Sequence, residues 1–516
     1  MAEYKVLITT SGLGSRLGNL TDYTNKSLVR IGDKPAISYI IESYPIDTDF
    51  VITLGYFGSH VKQFLLLAYP NHNFTFIEVD KYKGEGSSLG YSLLQCKNVI
   101  NKPFIFHASD TIVKNFNIPD LDKNWIIGSY KEDSSQYRTL NLNNNKLIKI
   151  NEKGELGYDY SYIGVAGIKD YELFFIELEK LINDKHIDTS DVHAINNMLL
   201  SVDFYGQWIN NEDWYDVGNT TELIRTKKFF KSSIEVLDKK DESIFFFDDF
   251  VIKFFFNKEI NKNRVIRAKH LKGLVPEIID STENFYKYKK AAGKLFSKCA
   301  NHKTFLEFLE WSNKNLWVPK VDMDFKNKCF DFYINKTKKR ISEYLKDNPE
   351  PTYINGEYIP DVYDLIDTID IDWLCNGLPS QFHGDFILDN IIKTEDSFCL
   401  IDWRQDFAGN LEIGDVYYDL AKLYGGCIIP YNKVKDESYI LLNEGLTAVN
   451  YSYSISNELL QFRHVYERWI ETQHFDLNKI KLITGLIFLN MSPLHTDKFS
   501  KMLWFKSIEL LSNVSK

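Results

Sequence analysis

No stretch of the 516 residues offers the roughly 18 or more consecutive apolar positions that a membrane-crossing helix needs, so no membrane insertion is expected. The N-terminus, MAEYKVLITTSG, lacks the cationic segment and long apolar core of a secretory leader, and the chain reads as soluble and cytoplasmic. Cysteine is scarce. Cys96, Cys299, Cys329, Cys375, Cys399 and Cys427 stand apart, with no CxxC or other ligand spacing. That pattern excludes a disulfide framework and a zinc site and fits reduced thiols. Positive charge is also short: a net charge of −10 leaves no basic face to displace counterions from a polynucleotide, so no nucleic-acid partner is expected. Internal repeats and low-complexity tracts are absent, and the sequence leaves self-association into a homo-oligomer open.

What is present is enough for two cores. The length exceeds that of a usual single domain, with 44% hydrophobic and 15% aromatic residues. A polar, charged stretch without periodicity, SSIEVLDKKDES, marks the expected boundary. It predicts one domain over 1–232, a linker over 233–243 and a second domain over 244–516.

In the second half, QFHGDFILDNIIKTEDSFCLIDW (381–403) sets Asp385 in a tight turn at Gly384, Asn390 five residues on, and Asp402 after the next apolar run. This spacing suits phosphoryl transfer: one acid orients a hydroxyl and accepts its proton, while an amide and a second acid offer hard oxygen ligands to Mg²⁺ beside ATP. Asn390–Lys393 and Phe398–Ile401 read as a hairpin carrying both ligands. HGDFILDN followed by LIDW resembles the HGDxxxxN…IDW signature of the aminoglycoside phosphotransferase and choline kinase family. The resemblance implies a bilobal protein-kinase-like (α+β) domain with Asp385 as catalytic base and Asn390 and Asp402 as magnesium ligands. Lys253, a single cation inside the aromatic run IFFFDDFVIKFFF, would then hold nucleotide phosphates; Glu259 is the nearest acid in the helical segment that follows, and the acid partner of Lys253 stays open. Asp415 and Asp419 read as structural braces, and helical patterns are expected at 451–469, 477–489 and 499–511. Arg404 after Trp403 disfavours a quaternary cation and suits hydroxyls or an anion, although the many aromatics keep choline and ethanolamine open.

The first half opens with a strand, Tyr4–Thr10, and a loop in which Gly12 and Gly14 let backbone N–H groups approach phosphates, followed by Arg16 and Lys26. GLGSRL…TNKSLVRIGDKPAISYII resembles the opening of the sugar-phosphate and phosphocholine nucleotidyltransferases, with Asn25 in place of the usual proline. That likeness implies a Rossmann-like α/β domain in which Gly12, Gly14, Ser15, Gly86, Ser87 and Ser88 bind nucleotide and Arg16 and Lys26 are catalytic. Asp110 at the end of the strand Pro103–His107 lies where open α/β sheets bind ligands. WYDVGNTTEL resembles the family's second acidic motif and makes Asp216 the partner of Asp110 on Mg²⁺. Lys153, in a Glu-Lys pair, is expected on the substrate phosphate.

Together these features predict a bifunctional enzyme. The second domain would phosphorylate a small hydroxyl compound (polyol, sugar, hydroxy acid or amino alcohol) with ATP. The first would join the phosphate ester to a nucleotide from CTP or another NTP, giving an activated precursor for surface polysaccharide. Other readings are a sugar-1-phosphate nucleotidyltransferase fused to an unrelated kinase, choline or ethanolamine kinase with a phosphocholine cytidylyltransferase, and a non-catalytic nucleotide-binding scaffold.

Overall fold

The apolar run Val6–Leu7–Ile8 is completely buried, and the strand that contains it, Lys5–Thr9, lies within a nine-stranded sheet. The molecule, known here as a computed structural model, is described over residues 3–131, 133–184, 188–232, 234, 239–429, 439–445, 447–495 and 497–514. Lys5–Thr9 pairs in parallel with Asp49–Leu54 on one side and Phe104–Ala108 on the other, and Asn73–Glu78 continues the parallel set outward. Lys5–Thr9, Asp49–Leu54 and Phe104–Ala108 are near-continuously hydrophobic and largely buried, as parallel strands covered on both faces are, while Asn73–Glu78 is the partly exposed edge. Tyr160–Ile168 then runs antiparallel to Phe104–Ala108 and to Asn124–Ser129, and the hairpin of Thr139–Asn143 with Lys146–Asn151 closes that edge. The α/β character expected of the first half is present.

Contacts group the chain into two compact units, Met1–Asn261 with Ile279–Tyr288, and Lys262–Ile278 with Lys289–Lys516. This grouping differs from a division at 232 and 244, and the reason is aromatic packing. The strands Glu242–Phe246, Phe250–Phe255 and Phe285–Lys289 belong to a four-stranded sheet whose Phe245, Phe254 and Phe285 enter the same core as Val61, Phe64 and Leu65 of the helix Gly58–Ala68. Phe64 meets the rings of Phe245 and Phe285 at centroid distances of 5.3 and 6.1 Å, and the Asn284 backbone N–H donates to Gln63 Oε1 at 2.9 Å. Of the expected linker, residues 233 and 235–238 lie outside the described residues.

The second unit is mainly helical, with its expected hairpin formed by Ile391–Lys393 and Phe398–Leu400. Leu477–Met491 is largely buried, and Asp497–Val514 and Val416–Ile428 both pack against it. One expectation fails locally: residues 448–453 form a strand, and the helix begins only at Asn457. Alternating burial at Val449 and Tyr451 gives the strand its period of two, and Ser456 caps the helix by accepting from the Leu459 N–H. Among the described residues no helix is long and apolar enough to cross a membrane, and the six cysteines are free.

Candidate functional site

Two neighbouring parallel strands end side by side, Lys5–Thr9 and Phe104–Ala108, and each delivers a loop to the carboxyl edge of the sheet. The first loop carries Gly12, Gly14, Ser15 and Arg16; the second carries Asp110. Gly14 has a φ of 69°, and a Cβ there would lie 2.8 Å from Lys26 Cβ, so glycine lets the two segments close on each other. Asn25 explains its departure from proline. Its amide nitrogen donates to the Thr10 and Tyr56 carbonyls at 2.7 and 2.6 Å, while its oxygen accepts from the Ser27 N–H, so the buried side chain locks the lysine-bearing turn onto the end of the first strand.

Lys26 Nζ stands 2.9 Å from Asp110 Oδ2, with an Arg16 guanidinium nitrogen 4.0 Å from the same oxygen. Asp216 arrives from far along the chain, because Trp214–Asp216 pairs antiparallel with Thr111–Val113 and the Val217 N–H donates to the Asp110 carbonyl at 2.9 Å. Its carboxylate accepts from the Gly218 N–H at 2.7 Å and from the Tyr137 hydroxyl at 2.8 Å. A Cβ on Gly218 would sit 2.9 Å from Asp110 Oδ2 and 3.0 Å from Asp216 Oδ1. The two acids thus face each other across that glycine.

Their electrostatics differ. Burial pushes Asp216 upward and the Asp110 charge adds to it, whereas for Asp110 burial is outweighed by the Lys26 ammonium and the carboxyl is held below its usual range. Lys153 also converges here. Partial burial, then Arg16 and Arg138, hold its ammonium below the ordinary value, while Asp216 and Asp110 act in the opposite sense. The adjacent Glu152 ties Arg138 and His193 together, and His193 also bonds to Ser190 at the start of its own helix, which is a structural task. Gly86, Ser87 and Ser88 lie in the turn before the helix Leu89–Leu94, where Ser88 accepts from the Tyr91 N–H and Ser92 meets Ser11, just before Gly12, at 2.8 Å.

In the second unit Gly384 has a φ of 86° and turns the chain so that Asp385 faces Lys422, whose Nζ is 2.7 Å from Asp385 Oδ1. Asn390 Nδ2 donates to the Asp385 carbonyl at 2.8 Å and to its Oδ2 at 3.0 Å, which leaves the amide oxygen as the acceptor end. Asp402 adopts a left-handed φ of 58°, an uncommon conformation for a side-chain-bearing residue, and its carboxylate pairs with Arg264. Burial opposes ionisation of Asp385, but the Lys422 ammonium prevails over both burial and the Asp402 charge and holds the carboxyl below its usual range. Asp385, Asn390 and Asp402 are therefore gathered in one place. Asp419 braces the turn, accepting from the His383 and Gly384 N–H groups at 2.8 and 2.7 Å and from the Trp317 indole at 3.2 Å. Asp415 accepts from the Tyr333 hydroxyl and the Leu378 N–H, again a structural role. Lys253 lies buried on the strand Phe250–Phe255 of the first unit, where a water-facing edge position was the other option.

Among the described residues no group of three or more His, Cys, Asp or Glu side chains could hold a metal ion. Each centre instead offers two oxygen-bearing side chains. That donor set suits Mg²⁺, which keeps several waters and takes one or two carboxylates together with substrate phosphates. The face-to-face acids at Gly218 fit it directly; at the second centre a cation would share Asp402 with Arg264. A separate cavity of about 310 Å³ in the second unit is lined by Tyr424, Tyr453, Arg463, Lys481 and Lys506 among others, and none of the expected site residues lines it.

No protein-family model matches the chain. Among curated proteins it is 25% identical over 235 residues to the bifunctional protein GlmU of Methanococcus vannielii, covering 44% of this chain and 55% of that protein. It is 30% identical over 131 residues to choline-phosphate cytidylyltransferase of Streptococcus pneumoniae, covering 25% of this chain and 55% of that one. The N-terminal region resembles nucleotidyltransferases. The chain spans about half the length of the curated relatives it matches. Of solved structures, the CTP:phosphocholine cytidylyltransferase LicC of Streptococcus pneumoniae is similar over 45% of this chain and 100% of its own, at 22% identity and a TM-score of 0.38. The inositol-1-phosphate CTP transferase of T. maritima matches 46% of this chain and 99% of its own, at 16% identity and a TM-score of 0.35.

Sequence reasoning missed Tyr137, Lys131, Lys422 and Arg264. Tyr137 and Lys131 reach the Asp216 neighbourhood from a loop without a motif, and Lys131 Nζ lies 2.6 Å from the Tyr137 hydroxyl. Lys422 was accessible, since it stands three residues after Asp419 on the helix Val416–Ile428 and so shares its face.

Proposed function

We propose that residues 1–232 carry a nucleotidyltransferase and residues 244–516 a small-molecule phosphotransferase, acting in succession on one metabolite. The observation that carries this reading is the pair of acids facing each other across Gly218, with Lys26 and Arg16 on Asp110. In the reaction of the first domain a phosphate-ester oxygen attacks the α-phosphorus of an NTP and pyrophosphate leaves. Lys26 and Arg16 meet the negative charge that grows on the leaving group, and Lys153 holds the incoming phosphate. Asp110 and Asp216 would hold Mg²⁺, which when bound neutralises charge on the triphosphate. CTP is the favoured nucleotide, supported by the likeness to choline-phosphate cytidylyltransferase.

In the reaction of the second domain Asp385, kept ionised by Lys422, orients the acceptor hydroxyl and takes its proton, while Asn390 fixes the Asp385 carboxylate from the other side. Asn390 and Asp402 would hold Mg²⁺ beside ATP. The phosphate ester made there is the substrate of the first domain, whose product, a nucleoside-diphosphate-linked alcohol, has the chemistry of an activated precursor for polymer assembly at the cell surface.

The test is a matrix of candidate alcohols against ATP and the four NTPs, read by mass spectrometry on the wild type and two variants. Asp385→Ala should abolish ATP-dependent phosphorylation and still release pyrophosphate from a supplied phosphate ester; Lys26→Ala should do the reverse. A folded variant that loses both activities would overturn the two-centre reading.

A further inference from the structure

Beside Asp385 lies an excess of positive charge that the phosphotransfer step does not use. The helix Phe325–Phe330 passes through a π-helical turn at Asp331–Asn335 before resuming as Lys336–Tyr344, an interruption of the kind that often accompanies a binding site. It brings the Phe332 ring within reach of two cations. Lys336 Nζ is 4.2 Å and Arg404 Cζ 5.1 Å from the centroid of that ring. Arg404 is anchored to the catalytic turn, because its N–H donates to the His383 carbonyl at 3.0 Å and its Cβ packs against Gly384.

Most other charges around these two are committed. Lys422 is paired with Asp385 and Arg340 with Glu343, at 2.7 Å each. Asp406 uses its carbonyl on Arg404 Nε at 3.0 Å and a carboxylate oxygen on the Gly409 N–H at 3.0 Å. Among the described residues neither Lys336 nor Arg404 forms an ion pair with a carboxylate. Two cations on one ring, neither in an ion pair, are a ready seat for an anion.

We propose that Lys336 and Arg404 form the anion-binding end of the acceptor site at Asp385, so that the hydroxyl compound phosphorylated there carries a carboxylate or a phosphate of its own. This rests on the phosphotransfer reading of Asp385. The acceptor's hydroxyl oxygen bonds to the γ-phosphorus of a nucleoside triphosphate as the bond to the β–γ bridging oxygen breaks, and the proton passes to Asp385. The second, anionic group of the acceptor lies on Lys336 and Arg404 and takes no part in bond making. Burial, together with the charges of Arg404, Arg340 and Lys422, pushes the Lys336 ammonium well below its usual value, and Asp406 offsets this only in part. An anion on Lys336 relieves that repulsion. Choline, a fixed cation, is disfavoured at the same place.

The experiment compares full-length protein on hydroxy-carboxylic acids, phosphorylated alcohols, the parent neutral polyols and choline. Phosphorylation is followed by mass spectrometry, and binding by calorimetry on the Asp385→Asn variant. An anionic alcohol should show a KM at least tenfold below that of its neutral parent, and whether carboxylate or phosphate is preferred separates the two anion types. Lys336→Met and Arg404→Gln should each raise that KM tenfold or more with a smaller change in kcat, a split that general loss of structure does not give. Phosphorylation of a neutral or cationic alcohol in preference to its anionic counterpart overturns the inference and leaves the kinase reading standing. Binding of an anionic alcohol that depends on Lys336, with no acceptor phosphorylated, supports the anion seat and overturns the kinase reading. Neither binding nor turnover of any anionic alcohol overturns the inference.

Discussion

Substituting Gly218 with alanine places a single methyl group between the two acids of the first centre. A Cβ at that position meets Asp110 Oδ2 at 2.9 Å and Asp216 Oδ1 at 3.0 Å, whereas ordinary contact begins at 3.4 Å. One or both carboxylates must therefore retreat by about half an ångström. Neither has slack: Asp110 is held by Lys26 at 2.9 Å, and Asp216 by the Tyr137 hydroxyl at 2.8 Å. Misplacement of about 1 Å in a positioned site costs about a hundredfold in rate, so half of that is expected to cost about tenfold or somewhat more. Tenfold corresponds to about 1.4 kcal/mol of barrier. The fold should hold, because Gly218 does not adopt a left-handed φ and alanine restricts the unfolded chain slightly in compensation. The assay is pyrophosphate release with saturating nucleotide and phosphate ester, beside a thermal melt. Turnover within twofold of wild type in Gly218→Ala would refute the claim that the facing acids act on one charge.

Acid should weaken the first unit through His107. Its Nδ1 accepts from Tyr44, its Nε2–H donates to the Thr111 carbonyl, and burial depresses its pKa from 6.5 to about 4. The unfolded chain then binds the proton first, so stability is full above pH 6.5 and falls as pH drops toward 4, by about 3 kcal/mol for this residue. Chemical denaturation at pH 7 and pH 4 checks it, and a His107→Gln variant should lose less between the two. In the second unit Asp419→Ala strips partners from two backbone N–H groups and an indole, and should cost about 3 kcal/mol or more with loss of phosphoryl transfer. Denaturant midpoints followed by far-UV circular dichroism read this, and an unchanged midpoint would mean that Asp419 does not brace the turn.

Local pattern carried most of the elements. The strands at Lys5–Thr9 and Phe104–Ala108, the hairpin at 391–400 and the helix Leu477–Met491 fall where apolar runs and periodicity place them, because each buries a face that its own residues define. The approach of Asp110 to Asp216 was suggested only by likeness to a family, since pairing between 111–113 and 214–216 is set by the tertiary structure and leaves no local mark. The same holds for Arg264 on Asp402, two residues whose separation in sequence hides their contact. Tyr451 and Tyr453 run on into an aromatic-rich helical pattern that claims them in the sequence, whereas the alternation begun at Val449 makes them strand.

The phenylalanine sheet formed by residues 242–289 shares one apolar interior with the helix Gly58–Ala68. A chain severed near residue 240 would leave Phe64 and Leu65 wet, at a loss of about 2 kcal/mol for each large side chain uncovered. An N-terminal fragment that keeps this interior closed therefore has to run on through the strand Phe285–Lys289, well past the polar stretch that looks like a boundary.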